Sequence, residues 1–163
     1  MKTIYLAGGC FWGVQAYYDR LKGVIDTTVG YANGNIDNPK YEQVKSHEAT
    51  HSETVKVIYD EKIISLVNLL EHFLRIVDPY ELNHQGEDYG IQYRSGVYST
   101  DENELILIKD YFNKIDTKAK FKIEILPLDN FYDAETYHQK YLDKNPGGYC
   151  HVNLSLIKNN ERK

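Results

Sequence analysis

The order in which strand-like and helix-like segments follow one another constrains this chain more than its composition does. Residues 3–7 form a short apolar run of β-branched and aromatic residues, the pattern of a buried strand. Phe11, Val14, Tyr18 and Leu21 then recur at helical spacing, and Gly23 stands where a helix C-cap glycine belongs. Residues 24–31 are β-rich, and residues 53–59 alternate, with Val55, Val57 and Tyr59 on one side. Ser65 can cap a helix whose apolar stripe is Leu66, Leu69, Leu70, Phe73, Leu74 and Val77, and Asp78-Pro79 ends it. Residues 95–99 make a further short strand. This β-α-β-β-α-β order predicts an α+β fold with a ferredoxin-like split β-α-β core, a mixed sheet covered by helices.

Additional elements follow. Ser99 and Glu102 match a capping box for a helix carrying Leu105, Ile108, Phe112 and Ile115. Residues 122–126 read as a strand stopped by Pro127, and residues 134–142 as a short helix broken by Asn145-Pro146-Gly147-Gly148. Beyond Tyr149 the tail is irregular, and the glycine-rich breaker before Cys150 predicts a mobile segment. Residues 32–40 and 80–92 read as long loops and 41–51 as irregular chain. Long loops in a compact domain usually carry function. No internal repeat, linker or low-complexity tract divides the chain, so residues 1–163 are expected to form a single catalytic domain.

The chemistry concentrates at Gly8-Gly9-Cys10-Phe11-Trp12-Gly13. Cys10 falls where a strand turns into a helix. Free N–H groups and the macrodipole favour an anion there, so the pattern predicts a stabilised thiolate. The two glycines allow a sharp turn and close approach of another molecule. Phe11 and Trp12 set two large rings beside the sulfur, where a small apolar group can dock. A buried, inert cysteine is the plain alternative; the glycines and the helix start argue against it.

Bulk properties exclude several classes. A net charge of −5 and the lack of a Lys/Arg cluster argue against nucleic acid as a partner. No apolar run approaches a membrane span and the N-terminus is too short for a signal peptide, so the expected location is cytoplasmic. Only Cys10 and Cys150 are present, too few for a zinc site without histidines, and neither a metal nor a cofactor is expected. A reducing compartment argues against a structural disulfide. That leaves two lone thiols, or a catalytic pair that meets only during turnover.

A nucleophilic cysteine also needs a proton donor and a pocket. Glu53, at the start of a strand, would be half-buried and its pKa raised, which suits a general acid, although on this residue alone a solvated strand-edge carboxylate is the favoured reading. Asp88 and Glu87 are loop acids, and Tyr41 and Tyr93 flank long loops; on pattern alone none of the four stands out. His72 falls on the polar side of its helix, and His138, just before the breaker that leads to Cys150, is the histidine best placed to matter. Three chemistries stay open on these residues: a Cys10/His138/Asp88 hydrolase, a thiol peroxidase, and a binding module in which Cys10 is core.

The motifs then carry a resemblance. Gly8–Gly13, Gly30-Tyr31-Ala32-Asn33-Gly34 with Asn38–Val44, His51-Ser52-Glu53-Thr54-Val55, Gln85–Ser95, and His138–Leu142 with Asn145–Cys150 resemble, in order, the signatures of the A-class peptide methionine sulfoxide reductases. The resemblance implies that Cys10 attacks the sulfoxide sulfur and Glu53 protonates its oxygen, with Tyr41 and Tyr93 hydrogen-bonding that oxygen. It implies that Phe11 and Trp12 hold the methyl group, that Asp88 orients the substrate, and that Cys150 resolves the sulfenic acid. Oxidised proteins or peptides and free methionine sulfoxide as substrates, the S epimer, and thioredoxin as reductant are implied likewise. The chain departs from the commoner family pattern at Thr50 and Ser52 and in having His151-Val152-Asn153 where many members are glycine-rich, and it lacks the third, relaying cysteine that some members have.

Overall fold

A computed structural model describes all 163 residues. Its elements are β1 (Lys2–Ala7), α1 (Phe11–Asp19), β2 (Val24–Ala32), α2 (Tyr41–Lys45), β3 (Ser52–Tyr59), α3 (Leu66–Ile76), β4 (His84–Gln85), β5 (Asp88–Tyr89), β6 (Gly96–Ser99), α4 (Glu102–Ile115), β7 (Glu124–Pro127), β8 (Phe131–Asp133) and α5 (Tyr141–Lys144). The main sheet runs β7-β6-β1-β3-β2-β8. Its inner part, β6-β1-β3-β2, is the split β-α-β order expected from the sequence, so the fold is α+β. Only the β6–β7 pair is parallel.

The strands are buried in proportion to their place. In the central β1, Ile4, Leu6 and Ala7 are fully buried, and in β3 six of the eight residues from Ser52 to Tyr59 are buried. α1 is enclosed on nearly every side, and its buried polar groups are all paired. The Gln15 amide donates to the Thr27 hydroxyl at 3.1 Å, the Tyr18 hydroxyl donates to the Leu69 carbonyl at 2.8 Å, and Tyr17 Oη meets His72 Nδ1 at 2.7 Å. His72 is therefore buried, against the expectation of a polar helix face. α3 starts as its sequence predicts, with Ser65 Oγ accepting the Asn68 amide at 3.1 Å.

Several local expectations give way to tertiary structure. α1 ends at Asp19, so Gly23 is not its cap; at φ +96° it turns the chain into β2 with Ile64 packed against it. Residues 41–51 are not wholly irregular, because Gln43 Oε1 accepts the Lys40 amide and starts the short α2. Asp101, two residues later than the expected Ser99, caps α4 through the Asn103 amide at 2.8 Å, while Ser99 donates to Glu104 at 2.6 Å. The helix expected over 134–142 breaks up into a 3-10 turn at Thr136–His138 and α5. Its midpoint is diverted: the Gln139 side chain accepts the Val29 amide at 3.0 Å and donates to the Val29 carbonyl at 2.8 Å, as an added strand would. Lys140, at φ +54°, donates its amide to Gln15 Oε1 at 2.8 Å.

Candidate active site

β1 delivers Cys10 to the mouth of α1 through Gly8 and Gly9. A Cβ at Gly8 would lie 2.7 Å from Val77 Cγ2. At Gly9, which has φ +85°, it would lie 2.8 Å from Gln85 Cβ, so neither position has room for a side chain. Cys10 is the N-cap residue of α1. The Phe11 amide beside it donates to Glu53 Oε1 at 3.2 Å, tying the first turn of α1 to β3.

Electrostatics at the two groups depart from the sequence reading in one case and follow it in the other. The helix start predicts a thiol that ionises readily. Instead burial pushes the Cys10 thiol far up, the Glu53 carboxylate adds to this, and the Trp12 amide of the helix start pulls only partly back. Glu53 is 3% exposed, and burial raises its carboxyl to about 8 against the opposing Phe11 N–H. The resting site at neutral pH therefore holds a thiol beside a protonated acid.

Tyr41, Tyr93 and Asp88 gather round this pair. Tyr41 opens α2, its amide donating to Glu135 Oε2 at 2.8 Å; burial, then the charges of Glu53 and Cys10, push its phenol up to about 12. Tyr93 ends the 3-10 turn Ile91–Tyr93, and burial, then Glu53, Tyr41, Asp88 and Cys10, push its phenol further up. Both phenols stay protonated and can donate. Asp88, on β5, accepts the Tyr149 hydroxyl at 3.0 Å.

Trp12 is half-buried and braced twice: its ring stacks on Tyr141 at 3.7 Å and 9°, and its indole N–H donates to His138 Nδ1 at 3.0 Å. Phe11 is 1% exposed, packed 5.8 Å from Tyr31 and 5.2 Å from His138 between ring centroids, so it belongs to the core beside Cys10. His138 is thereby accounted for. Its Nδ1 serves Trp12, its Nε2 is buried with no hydrogen-bond partner, and it pairs with neither Cys10 nor Asp88, which removes the hydrolase triad.

Cys150 is unpaired but not loose. Residues 145–153 form no helix or strand, yet each neighbour of the sulfur is tied down. Tyr149 reaches Asp88, His151 Nε2 lies 2.9 Å from the Gly8 carbonyl, and Cys150 Sγ donates to the Val152 carbonyl at 3.1 Å. A Cβ at Gly13 would lie 3.1 Å from both Cys150 Sγ and Val152 Cγ2, so the sulfur rests on the first turns of α1, three residues past Cys10. The expected mobile tail is held in place because side chains supply what regular backbone pairing does not.

Sequence reasoning missed Glu135, which accepts from both Tyr31 Oη and the Tyr41 amide, and assigned no role to Tyr141, Tyr149 or His151. His47-Glu48-Ala49-Thr50-His51 has the spacing of a zinc-binding helix. Here α2 has ended at Lys45, His47 has φ +68° and bonds Gln92, and His51 is fully buried, so the two rings share no helical face. No helix is long and apolar enough to cross a membrane.

The family model for peptide methionine sulfoxide reductase matches residues 2–163. The chain belongs to that family. The peptide methionine sulfoxide reductase MsrA of Ureaplasma urealyticum serovar 10 is 54% identical over 160 residues, 97% of each chain. Among solved structures, Mxr1 from Saccharomyces cerevisiae in reduced form superposes with a TM-score of 0.86 at 40% identity, over 93% of this chain and 91% of that one. Mxr1 in complex with Trx2 superposes with a TM-score of 0.59 at 30% identity, over 86% and 84%. The chain is thus a peptide methionine sulfoxide reductase, an oxidoreductase acting on methionine sulfoxide.

Proposed function

We propose that the chain is one catalytic domain that reduces the S epimer of methionine sulfoxide in proteins and peptides through a sulfenic acid on Cys10. Glu53 protonates the sulfoxide oxygen while Tyr41 and Tyr93 donate hydrogen bonds to it, Asp88 orients the substrate, and Phe11 and Trp12 enclose the methyl group. The Cys10 sulfur bonds the sulfoxide sulfur, the sulfoxide S–O bond breaks, and the oxygen passes to Cys10. Cys10 is oxidised by two electrons, methionine is released, and the thiol proton replaces the one Glu53 gave.

The observation that carries this reading is the buried Glu53 carboxyl, raised to about 8 and bonded to the amide next to Cys10. A sulfoxide oxygen leaves only when protonated, and an acid neutral at pH 7 is what supplies the proton. The high resting thiol fits the same scheme. A protonated sulfoxide brings positive charge to the sulfur, which favours the thiolate only when substrate is bound.

Cys150 then resolves the sulfenic acid to a Cys10–Cys150 disulfide, and with no third cysteine a thioredoxin reduces that bond directly. The yeast Mxr1 structure in complex with Trx2 supports this reductant. The test is one turnover without reductant on each epimer of a methionine sulfoxide peptide. One methionine and the loss of both thiols per chain, with the S epimer only, is expected. Methionine formed with both thiols intact would reject the cysteine mechanism.

A further inference from the structure

The contact between His151 and Gly8 ties the segment that carries one cysteine to the segment that carries the other. Gly8 lies two residues before Cys10, and His151 follows Cys150 directly. A carbonyl oxygen only accepts, so the 2.9 Å contact requires the hydrogen on His151 Nε2. The ring sits in a slot shaped for it. A Cβ on Gly9 would lie 2.9 Å from His151 Nε2, and one on Gly86 would lie 3.5 Å from His151 Cβ. Its other nitrogen, Nδ1, is buried without a partner, so the Gly8 carbonyl is the one polar anchor of the ring.

We infer that His151 is a positioning residue for the resolving step, a latch that holds Cys150 against the Cys10 turn before the sulfenic acid forms. The inference rests on the reading of Cys150 as the resolving thiol. In that step the Cys150 sulfur attacks the Cys10 sulfur, an S–S bond forms and the Cys10 S–O bond breaks. The hydroxyl leaves with the Cys150 proton as water; Cys150 is oxidised and the sulfenic sulfur reduced. Holding two reacting groups in one frame raises their effective concentration without touching the chemistry of either. The latch therefore acts on the rate of disulfide formation and leaves the methionine yield of the first step at one per chain.

The experiment is a single turnover of the full chain on a methionine sulfoxide peptide. The sulfenic acid partitions between Cys150 and added dimedone, and mass spectrometry reads the disulfide and the adduct. His151→Ala should slow disulfide formation roughly three- to tenfold, the scale of one intramolecular hydrogen bond, and shift the products toward the adduct. His151→Gln, whose amide can still donate to the Gly8 carbonyl, should stay close to the wild type. A His151→Ala rate equal to the wild type overturns the latch, and so does a His151→Gln rate as low as that of His151→Ala. Failure of the underlying reading looks different: the wild type itself would then leave Cys150 as a free thiol, and the latch falls with it. If His151→Ala does not fold, nitrogen chemical shifts of the reduced wild type decide. An Nε2–H tautomer supports the latch and an Nδ1–H tautomer overturns it.

Discussion

Cys10 follows β1, a strand paired on both edges, and opens a helix buried on nearly all sides, whereas Cys150 lies on chain without regular structure and is held by individual side-chain contacts. Ladder hydrogen bonds are shared over many residues, and no single side chain decides them. Contacts such as Tyr149–Asp88 and His151–Gly8 are each worth about 1 kcal/mol and can open singly. Cys10 is thus built as a fixed point and the second thiol as an adjustable one. That division suits the proposed cycle, in which the substrate fits Cys10 closely and Cys150 advances and withdraws.

The largest effect should come from the fixed side. Cys10→Ser removes the sulfur proposed to accept the oxygen, and methionine release in a single turnover should drop to background. Retained release would place the nucleophile elsewhere. On the adjustable side, Cys150→Ser should still release one methionine per chain at nearly the normal rate and leave Cys10 as a sulfenic acid. Turnover driven by thioredoxin should collapse, with dithiothreitol restoring part of it by attacking the sulfenic acid directly. Undiminished thioredoxin turnover would make Cys150 a bystander and dissolve the contrast between the two cysteines.

Glu53→Gln comes next and belongs to the fixed side. It should lower the first-step rate roughly a hundredfold, the scale of a general acid. Because the Glu53 carboxyl is raised to about 8, the acid form is lost as pH rises through that value. The ratio of the wild-type rate to the Glu53→Gln rate should therefore narrow above about pH 8, and a constant ratio would assign the proton to another group. Stability follows the same proton. The folded value lies above the ordinary 4.5, so the folded chain binds more protons between 4.5 and about 8, and wild-type stability falls as pH rises through that window. Denaturant titrations should show the Glu53→Gln variant escaping that fall.

Legibility in the sequence divides along the same line. β1, β3 and α3 are readable because apolar periodicity and the Ser65 cap act within a dozen residues. The three residues of β8 carry no pattern of their own. They pair with Gly30–Ala32, where Phe131 lies so close over Gly30 that a Cβ there would meet its ring. The helix expected over 134–142 yields to Gln139 and Lys140, whose partners Val29 and Gln15 are more than a hundred residues away. In the site, the placing of Cys10 at a helix start is local and readable, but the acidity of its thiol is not. Burial and Glu53 decide it, and Glu53 comes from the neighbouring strand β3, far along the chain from Cys10. The same distance hides the tail: a breaker sequence announces irregular chain, and only the folded neighbours determine whether that chain is held.

Gly13→Ala should have the smallest effect and separates the two sides most directly. Gly13 is interior to α1, so alanine favours the helix by about 1 kcal/mol. The added methyl would stand 3.1 Å from Cys150 Sγ and Val152 Cγ2, closer than ordinary van der Waals contact, so the tail must shift by a few tenths of an ångström. One substitution therefore reinforces the support of Cys10 while displacing Cys150. Thermal unfolding should move little, since the helix gain and the tail loss oppose each other, and methionine release in one turnover should keep its rate. Disulfide formation should slow a few-fold. If disulfide formation holds its rate and the first step slows instead, α1 rather than the tail yields to the methyl, and Cys10 is not the fixed point of the pair.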